Sequence, residues 1–323
     1  TKTTELSTDV RLNDAIQKTK KGVMIINCAR GGLVDEAAVR AGLDSGHIAA
    51  AAFDVFVEEP AKDNILFGAP NFIATPHLGA ATTEAQENVA LQIAEQIADY
   101  LLTGAISNAL NTPSITAEEA PRLKPYADLA EKLGLFAGQI ADGGFSDIEI
   151  GFEGEPAHLN TKPLTAAAVA GALRPLFTEV NMVSAPEMLK ARGVTLTEAT
   201  RSDSPVYDNL IRIRVKVDGS WRDVAGSIVA GVPKIVEVKG MALDAKFRPV
   251  ILYVNNVDKP GFIGSLGVML GDAGINIATF NLGRQSQGEE AVALVGIDAE
   301  IPEDVVKKIE ALPQVRYVKV LTF

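Results

Sequence analysis

Apolar residues in the first third of the chain occur in short, uninterrupted runs at residues 23–26, 48–53 and 72–75. Runs of this length between turn residues are typical of strands buried on both faces of a parallel sheet. Asp35 is a good helix-capping residue and predicts a helix between the first two runs that ends near Leu43. This alternation of strand and helix predicts an α/β fold.

A long helix is predicted from Thr82 or Thr83 to about Leu102, where Gly104 follows. Its apolar residues recur at every fourth position, which is typical of a helix with one apolar face. They are Val89, Ile93, Ile97 and Leu101. We expect this face to pack in the core.

The middle of the chain mixes helical and strand-like patterns. Helices are predicted at residues 117–140 and 163–176, and strands at residues 147–152, 195–199, 210–217 and 221–229. The last two strands flank Asp218-Gly219-Ser220, a typical hairpin signal. Residues 112–245 are therefore predicted to form an α+β domain that follows a first domain of residues 1–111.

The last part of the chain, residues 246–323, reads as strand, helix, strand, strand, helix, strand. The strands are predicted at residues 250–255, 275–282, 291–297 and 315–321, and the helices at residues 262–273 and 302–312. This order is that of a ferredoxin-like βαββαβ domain.

Composition narrows the class of protein. The chain has 323 residues, one cysteine and a net charge of −11. A single cysteine rules out an intramolecular disulfide framework and fits a reducing compartment, so we expect a cytoplasmic protein. The acidic charge offers no general footprint for nucleic acid, and no apolar run is long enough to cross a membrane.

Polar side chains follow the three predicted strands of the first domain. Arg30, Asp54, Glu59 and His77 all come shortly after a strand ends, and open α/β sheets bind ligands at the carboxyl ends of their strands. A histidine beside a carboxylate can move a proton near neutral pH, and an arginine can bind a carboxylate with two hydrogen bonds. Each residue alone is more typical of a loop, turn or structural position. Together they predict oxidation of a hydroxyl group on a small anionic acid.

Three segments around these residues resemble the signatures of the D-2-hydroxyacid dehydrogenase family. The first is Lys-Lys-Gly-Val-Met-Ile-Ile-Asn-Cys-Ala-Arg-Gly-Gly-Leu-Val-Asp-Glu at residues 20–36, the second Ala-Phe-Asp-Val-Phe-Val-Glu-Glu-Pro at residues 52–60, and the third Pro-His-Leu-Gly-Ala at residues 76–80. The order and spacing of the three segments are highly specific. The resemblance implies part of a Rossmann-type domain with NAD as the cofactor.

The resemblance also implies roles for individual residues. Arg30 would bind the substrate near the nicotinamide, and Glu59, rather than the adjacent Glu58, would support His77 as the group that exchanges the proton. Positions matching those that contact the cofactor in the family are Cys28, Ala29, Arg30, Asp54, His77, Leu78, Gly79 and Ala80.

The remaining two regions resemble the intervening domain and the amino-acid-sensing ACT domain of the family members that oxidise 3-phosphoglycerate in L-serine synthesis. This implies 3-phosphoglycerate as the substrate, L-serine as the effector and a homo-oligomer, either a dimer or a tetramer. The start of the helix after Pro260 presents N–H groups that favour a carboxylate, and Asp258 suits an ammonium group. The candidate effector residues are Asn256, Asp258, Gly261 and Asn276. The domain could instead serve only in dimerisation.

The chain departs from the family in one respect, because it contains no Gly-x-Gly triplet and so lacks the pyrophosphate-binding signature. We therefore expect an amino-terminally truncated chain that is inactive alone and poorly ordered or aggregation-prone over residues 1–110, with the parent protein being the enzyme. Two alternatives stay open: a non-catalytic serine-binding regulatory or assembly protein, and a dehydrogenase of another D-2-hydroxy acid.

Overall fold

The structure, a computed structural model, describes residues 15–111 and 114–323. These residues divide into two compact units, with the division between Ile97 and Ala98. In the first unit, β1 (Val23–Asn27), β2 (Ile48–Phe53) and β3 (Phe72–Ala74) form a parallel sheet in the order β1-β2-β3. Helix α1 (Glu36–Asp44) connects β1 to β2. It begins as predicted, since the Ala38 N–H donates to Asp35 Oδ1 at 3.0 Å.

Only one face of this sheet is covered by the described residues. Val39 and Leu43 of α1 are buried together with Ile48 and Phe53, whereas alternate side chains of β1 and β3 point to the open face. Their exposed fractions are 72% for Met24, 75% for Ile26 and 65% for Ile73. The prediction of strands buried on both faces is therefore wrong for this part of the chain, because uninterrupted apolar runs do not say which face has a partner.

Two helices follow the sheet, α2 (Leu78–Ala81) and α3 (Thr83–Thr103). Thr82 caps α3 through its hydroxyl group, which accepts the Ala85 N–H at 3.1 Å. No residue of α3 is buried within the described part of the chain, and Val89 and Leu101 are 58% and 75% exposed. The expected packing of its apolar face in a core is therefore wrong here, since periodicity identifies the face but not what covers it.

The second unit contains a six-stranded sheet in the order β5-β4-β6-β7-β8-β9, in which only the β4–β5 pair is parallel. Its strands are β4 (Asp147–Gly154), β5 (Thr195–Arg201), β6 (Asn209–Val217), β7 (Ser220–Val229), β8 (Val232–Val238) and β9 (Met241–Lys246). Helices α4 (Ala120–Ile140), α5 (Thr161–Leu173) and α6 (Ser184–Ala191) and a short 3₁₀ helix (Glu155–His158) complete it.

The predicted hairpin is confirmed by the pairing of β6 with β7. Asp218 and Gly219 both have positive φ, 49° and 78°, as the tight turns preferred in hairpins require. Strands β8 and β9 and helix α6 were not predicted from the sequence. The two additional hairpins turn at Ala230-Gly231 and Lys239-Gly240, again with positive φ at each residue.

The carboxyl-terminal part has the predicted βαββαβ order, with strands paired antiparallel in the order β11-β12-β10-β13. Its elements are β10 (Val250–Val257), α7 (Phe262–Asp272), β11 (Ile277–Arg284), β12 (Glu290–Ile297), α8 (Glu303–Glu310) and β13 (Val315–Thr322). The predicted fold class is therefore confirmed. The domain limits of residues 1–111, 112–245 and 246–323 remain predictions.

Both faces of this four-stranded sheet are covered by other elements. Helices α7 and α8 pack on one face around Leu252 and Val254. On the other face Ile251 and Tyr253 belong to the same buried cluster as α4 and the six-stranded sheet. The rings of Tyr253 and Phe136 of α4 meet edge to face, with centroids 5.8 Å apart. The ferredoxin-like part and the preceding α+β part therefore share one core.

Helices α4 and α5 approach so closely that glycine is required between them. A Cβ atom on Gly134 would lie 2.0 Å from the carbonyl oxygen of Ala168, and one on Gly138 would lie 2.2 Å from that of Ala172. From the other side, a Cβ atom on Gly171 would lie 2.1 Å from the carbonyl oxygen of Glu131. Backbone atoms occupy these positions, so a side chain there would force the helices apart.

We predict that Gly138→Ala lowers the free energy of unfolding of the chain by about 1–3 kcal/mol, the usual cost of overpacking a core. Gly267→Ala is the matched control, because Gly267 also lies within a helix but no atom of the described residues lies within 4 Å of an added Cβ. This control should be neutral or stabilising by up to about 1 kcal/mol, since alanine is the better helix former. Urea unfolding of both variants measures the difference, and equal midpoints would contradict the prediction.

Candidate active site

The three loops that carry the predicted catalytic residues start at the same edge of the first sheet. In the parallel register Asn27 lies beside Phe53, and Phe53 lies beside Ala74. The segments that follow these strands therefore leave the sheet side by side, as expected for a ligand-binding edge.

The first loop is held by the side chain of Asn27, which is only 5% exposed. Its Nδ2 donates to the carbonyl oxygen of Arg30 at 3.1 Å, and its Oδ1 accepts the Ala29 N–H at 3.2 Å. The loop thus has a fixed shape, while the Arg30 side chain and Cys28 are exposed. Asn27 lies within the first signature segment, but no role was predicted for it from the sequence.

Gly31 brings this loop into direct backbone contact with the loop that follows β2. A Cβ atom on Gly31 would lie 1.8 Å from the carbonyl oxygen of Phe56 and 2.7 Å from the nitrogen of Val57. Only glycine permits this approach, which sets Arg30 beside the segment that carries Glu59.

Asp54 is only 8% exposed, and its carboxylate organises the third loop. Oδ1 accepts the Thr75 hydroxyl at 2.5 Å and the Leu78 N–H at 2.7 Å, and Oδ2 accepts the Gly79 N–H at 3.2 Å. The Thr75 hydrogen bond, followed by that of Leu78, lowers the pKa of Asp54. The turn around His77, whose φ is 56°, is therefore held by an ionised carboxylate.

Glu59 and His77 are in contact, with Glu59 Oε2 lying 2.6 Å from His77 Nδ1. The other carboxylate oxygen, Oε1, accepts the Phe56 N–H at 2.9 Å. This backbone hydrogen bond, the contact with His77 and the nearby charge of Arg30 lower the pKa of Glu59. Since the carboxylate engages Nδ1, the other ring nitrogen, Nε2, is left to exchange a proton.

Glu36 is a further residue of the site region that the sequence analysis missed. Its Oε1 accepts the Val57 N–H at 2.9 Å, and its Oε2 accepts Nδ2 of Asn64 at 2.7 Å. The carboxylate thereby secures the segment on which Glu59 lies. An acidic residue in the first turn of a helix is common for electrostatic reasons, so the sequence offered no signal for this second role.

A cavity of about 490 Å³ opens beside these residues. Asp54, Glu59, Thr75 and His77 supply its polar groups, and its apolar wall is formed by Phe56, Pro60, Ala61, Phe67, Ala74 and Pro76. An apolar pocket with a few converging polar groups is typical of a small-molecule site. Within residues 15–111 and 114–323 no group of three or more His, Cys, Asp or Glu side chains is arranged to hold a metal ion.

Three of the four candidate effector residues line one cavity in the second unit. Asn256, Asp258 and Gly261 surround a space of about 290 Å³ at the start of α7. Asp258 Oδ2 accepts Nη1 of Arg284 at 2.7 Å, so a cation that the sequence analysis missed belongs to the same cavity. Asn256 is 1% exposed, and its Oδ1 has no hydrogen-bond partner among the described residues.

Asn276 is not among the residues that line this cavity. Its Nδ2 donates to Asp298 Oδ2 at 2.8 Å. Within one chain, therefore, Asn276 is not brought together with the other three residues. A shared site would need a second copy of the chain.

Models of three protein-domain families match successive parts of the chain. Residues 4–79 match the NAD binding domain of D-isomer specific 2-hydroxyacid dehydrogenases, residues 122–239 the intervening domain of D-3-phosphoglycerate dehydrogenase, and residues 250–314 the ACT domain. The chain is thus similar to D-isomer specific 2-hydroxyacid dehydrogenases. Its three matches are those expected of D-3-phosphoglycerate dehydrogenases that carry an intervening and an ACT domain, which confirms the resemblance found in the sequence.

Curated relatives agree with this assignment. The chain is 39% identical over 310 residues to D-3-phosphoglycerate dehydrogenase of Bacillus subtilis and 40% identical over 309 residues to that of Methanocaldococcus jannaschii, in each case over 95% of this chain and 59% of the relative. It is 36% identical over 296 residues to D-3-phosphoglycerate dehydrogenase of Mycobacterium tuberculosis, over 90% of this chain and 56% of the relative. The chain thus spans less than two thirds of the length of these relatives. None of the helices in the described part of the chain has the length and apolarity needed to cross a bilayer.

We predict that Gly31→Ala separates the Arg30 and Glu59 loops, because the added methyl group would overlap the Phe56 carbonyl. The His77 ring signals in an NMR spectrum of the chain should shift as the Glu59 contact is disturbed. Gly32→Ala is the matched control, since Gly32 has positive φ, 77°, but open space around it. It should cost about 1–2 kcal/mol of stability and leave the His77 signals in place. Unchanged His77 signals in Gly31→Ala would show that the loops do not depend on this contact.

Proposed function

We propose that the full-length protein oxidises 3-phosphoglycerate to 3-phosphohydroxypyruvate with NAD, the first step of L-serine synthesis. The observation that carries this proposal is the contact between Glu59 and His77 at the carboxyl edge of the parallel sheet. The names of the curated relatives support the choice of substrate.

His77 would act as the general base. Neutral His77 takes the proton of the substrate hydroxyl group at Nε2, and the positive charge that develops on the ring is stabilised by Glu59 at Nδ1. NAD supplies a hydride acceptor when it is bound. In the reverse reaction His77 returns the proton to the carbonyl oxygen.

Arg30 would bind the substrate carboxylate. Its guanidinium group lies on an exposed loop, where Nη1 donates to the Ala29 carbonyl at 2.8 Å. One donor is engaged in this way and the others can form a bidentate pair with a carboxylate. The charge of Arg30 would thus hold the reacting carbon beside His77.

The loops at this edge also fit the nicotinamide end of NAD. We propose that the cofactor contacts Cys28, Ala29, Arg30, Asp54, His77, Leu78, Gly79 and Ala80. Asp54 would contribute mainly through the turn it holds, because three hydrogen bonds already engage its carboxylate. No Gly-x-Gly triplet occurs in this chain, so none of its residues is assigned to the pyrophosphate.

We further propose that L-serine binds the ACT domain and inhibits the enzyme. Asp258 would take the ammonium group, and the start of α7 at Gly261 would take the carboxylate, with Asn256 and a second chain's Asn276 as hydrogen-bonding partners. Support comes from the cavity that Asp258 and Gly261 share and from Asn256 Oδ1, which has no hydrogen-bond partner in the part of the chain that the structure describes. We propose a cytoplasmic dimer or tetramer for the whole protein.

We predict that His77→Ala lowers kcat of the full-length protein about 10²–10⁴-fold with 3-phosphoglycerate and NAD, the usual contribution of a positioned general base. Glu59→Gln should also lower kcat, because a neutral amide stabilises the charged ring less well. Glu58→Gln is the control, since Glu58 is adjacent but takes no part in the His77 contact. Retention of most of kcat in His77→Ala would remove His77 from proton transfer, and faster turnover of another D-2-hydroxy acid would change the proposed substrate.

We predict that Asp258→Ala abolishes inhibition by L-serine and leaves the uninhibited kcat unchanged. Loss of a charged partner in a desolvated site typically costs about 2–5 kcal/mol of binding, roughly 30-fold or more in affinity. Asp304→Ala is the matched control, because Asp304 pairs with Lys308 on α8 outside the cavity. Inhibition curves that coincide for the wild type and both variants would assign the domain a purely structural role.

A further inference from the structure

A separate cavity of about 230 Å³ lies in the second unit, where the six-stranded sheet and the ferredoxin-like part meet. It is lined by Ile140, Arg222, Lys239, Tyr253, Asn255 and Tyr317. Neither the proposed reaction nor the effector site uses any of these six residues. We call this space the junction cavity.

The described residues that line the junction cavity include two cations and no carboxylate. Each cation has a carboxylate partner. Asp142 Oδ2 lies 3.9 Å from Arg222 Nη1, and Glu290 forms a salt bridge with Lys239. Arg222 also donates to the carbonyl oxygen of Ile140. These contacts orient the cations but use only part of their five and three N–H donors.

Asn255 supplies an acceptor, Oδ1, that lacks a hydrogen-bond partner within the described residues. Asn255 is 7% exposed. Its Nδ2 donates to Glu290 Oε1 at 2.7 Å, and this hydrogen bond orients the amide. The remaining atom, Oδ1, is buried and has no hydrogen-bond partner among the described residues. A buried acceptor of this kind is normally satisfied, so a group with an N–H or O–H donor belongs beside it.

The two tyrosines complete the lining as neutral hydroxyl groups. Burial raises the pKa of both Tyr253 and Tyr317 above the ordinary value. Tyr317 donates its hydroxyl to Asp142. The Tyr253 hydroxyl also lies within hydrogen-bonding reach of the Asn255 side chain, which lowers its pKa against the larger effect of burial, and it can donate to, or accept from, a ligand in the cavity.

The charge and the volume of the junction cavity limit the kinds of ligand that it can bind. Among the described residues, two cations, Arg222 and Lys239, line the cavity, and Asp142, the carboxylate beside Arg222, also pairs with Lys319. The lining therefore favours an anion of low charge. A water molecule takes about 30 Å³ in the liquid, so the cavity has room for roughly seven, enough for a small acid.

We propose that the junction cavity binds a small hydroxy monocarboxylate of about three or four carbons. The carboxylate pairs with the free donors of Arg222 and Lys239, and the hydroxyl group donates to Asn255 Oδ1. The cations come from the six-stranded sheet and its turns, whereas Asn255, Tyr253 and Tyr317 come from the ferredoxin-like part. Such a ligand therefore bridges the two parts of the second unit.

Titration calorimetry of D-glycerate into the chain tests this proposal. We expect saturable binding of one D-glycerate per chain. Arg222→Met and Asn255→Leu should each weaken it roughly tenfold or more, as expected for loss of a hydrogen bond to a charged group or of a buried acceptor. Lys308→Met is the matched control, since it removes an exposed cation far from the lining and should leave affinity unchanged. Thermal unfolding checks that each variant folds, and Lys239→Gln replaces any that does not.

Propionate and L-serine test which chemical groups of the ligand the junction cavity recognises. Propionate lacks the hydroxyl group and should bind roughly tenfold more weakly, because Asn255 Oδ1 is then left unpaired. Asp258→Ala should leave D-glycerate binding intact, which separates this cavity from the effector site. The proposal fails if D-glycerate does not bind saturably, if Arg222→Met and Lys308→Met behave alike, or if propionate binds equally well. It also fails if L-serine, but not D-glycerate, binds in an Arg222-dependent way.

Discussion

The backbone contact between Gly31 and Phe56 is the constraint on which the candidate active site depends. Parallel pairing brings the strand ends to one edge, but it does not fix the loops beyond them. A Cβ atom added to Gly31 would lie only 1.8 Å from the carbonyl oxygen of Phe56, so the two loops pack with no room for a side chain at this position. Arg30 and Glu59 are consequently held on adjacent segments.

Each loop is then secured by one polar side chain that bonds to its backbone. Asn27 holds the Arg30 loop, Glu36 holds the segment around Val57, and Asp54 holds the turn after His77. Side chains can satisfy irregular backbone that no strand or helix pairs, which is why these residues matter as much as the reactive ones. The two candidate site acids after β2 therefore differ in role: Asp54 shapes a turn, and Glu59 contacts the histidine.

The sequence predicted the fold well where local chemistry decides structure. The Asp35 cap, the Asp218-Gly219 turn and the βαββαβ order all follow from residue type and spacing, and all were found. The turn at Ala230-Gly231 was missed because alanine rarely adopts positive φ, so it gave no turn signal. The open face of the first sheet was also missed, because apolar runs do not reveal whether a partner is present.

The contact between Glu59 and His77 could be anticipated from the sequence, but the residues that support the loops could not. A sequence motif predicted that Glu59 supports His77, and in the structure Glu59 Oε2 lies 2.6 Å from His77 Nδ1. Glu36, Gly31 and Arg284 were given no role, because their contacts join segments far apart in sequence. Periodicity and capping rules describe neighbours along the chain and cannot report such contacts.

Strand β10 links the two cavities of the second unit. Successive side chains of a strand point to opposite faces, so Asn255 lines the junction cavity and Asn256 lines the effector cavity. Each amide leaves a buried Oδ1 without a partner among the described residues. Both neighbours of β10, β12 and β13, pair with it along most of its length, so the strand cannot move alone. A ligand that satisfies either amide therefore acts on the same rigid sheet, and that sheet shares its core with α4.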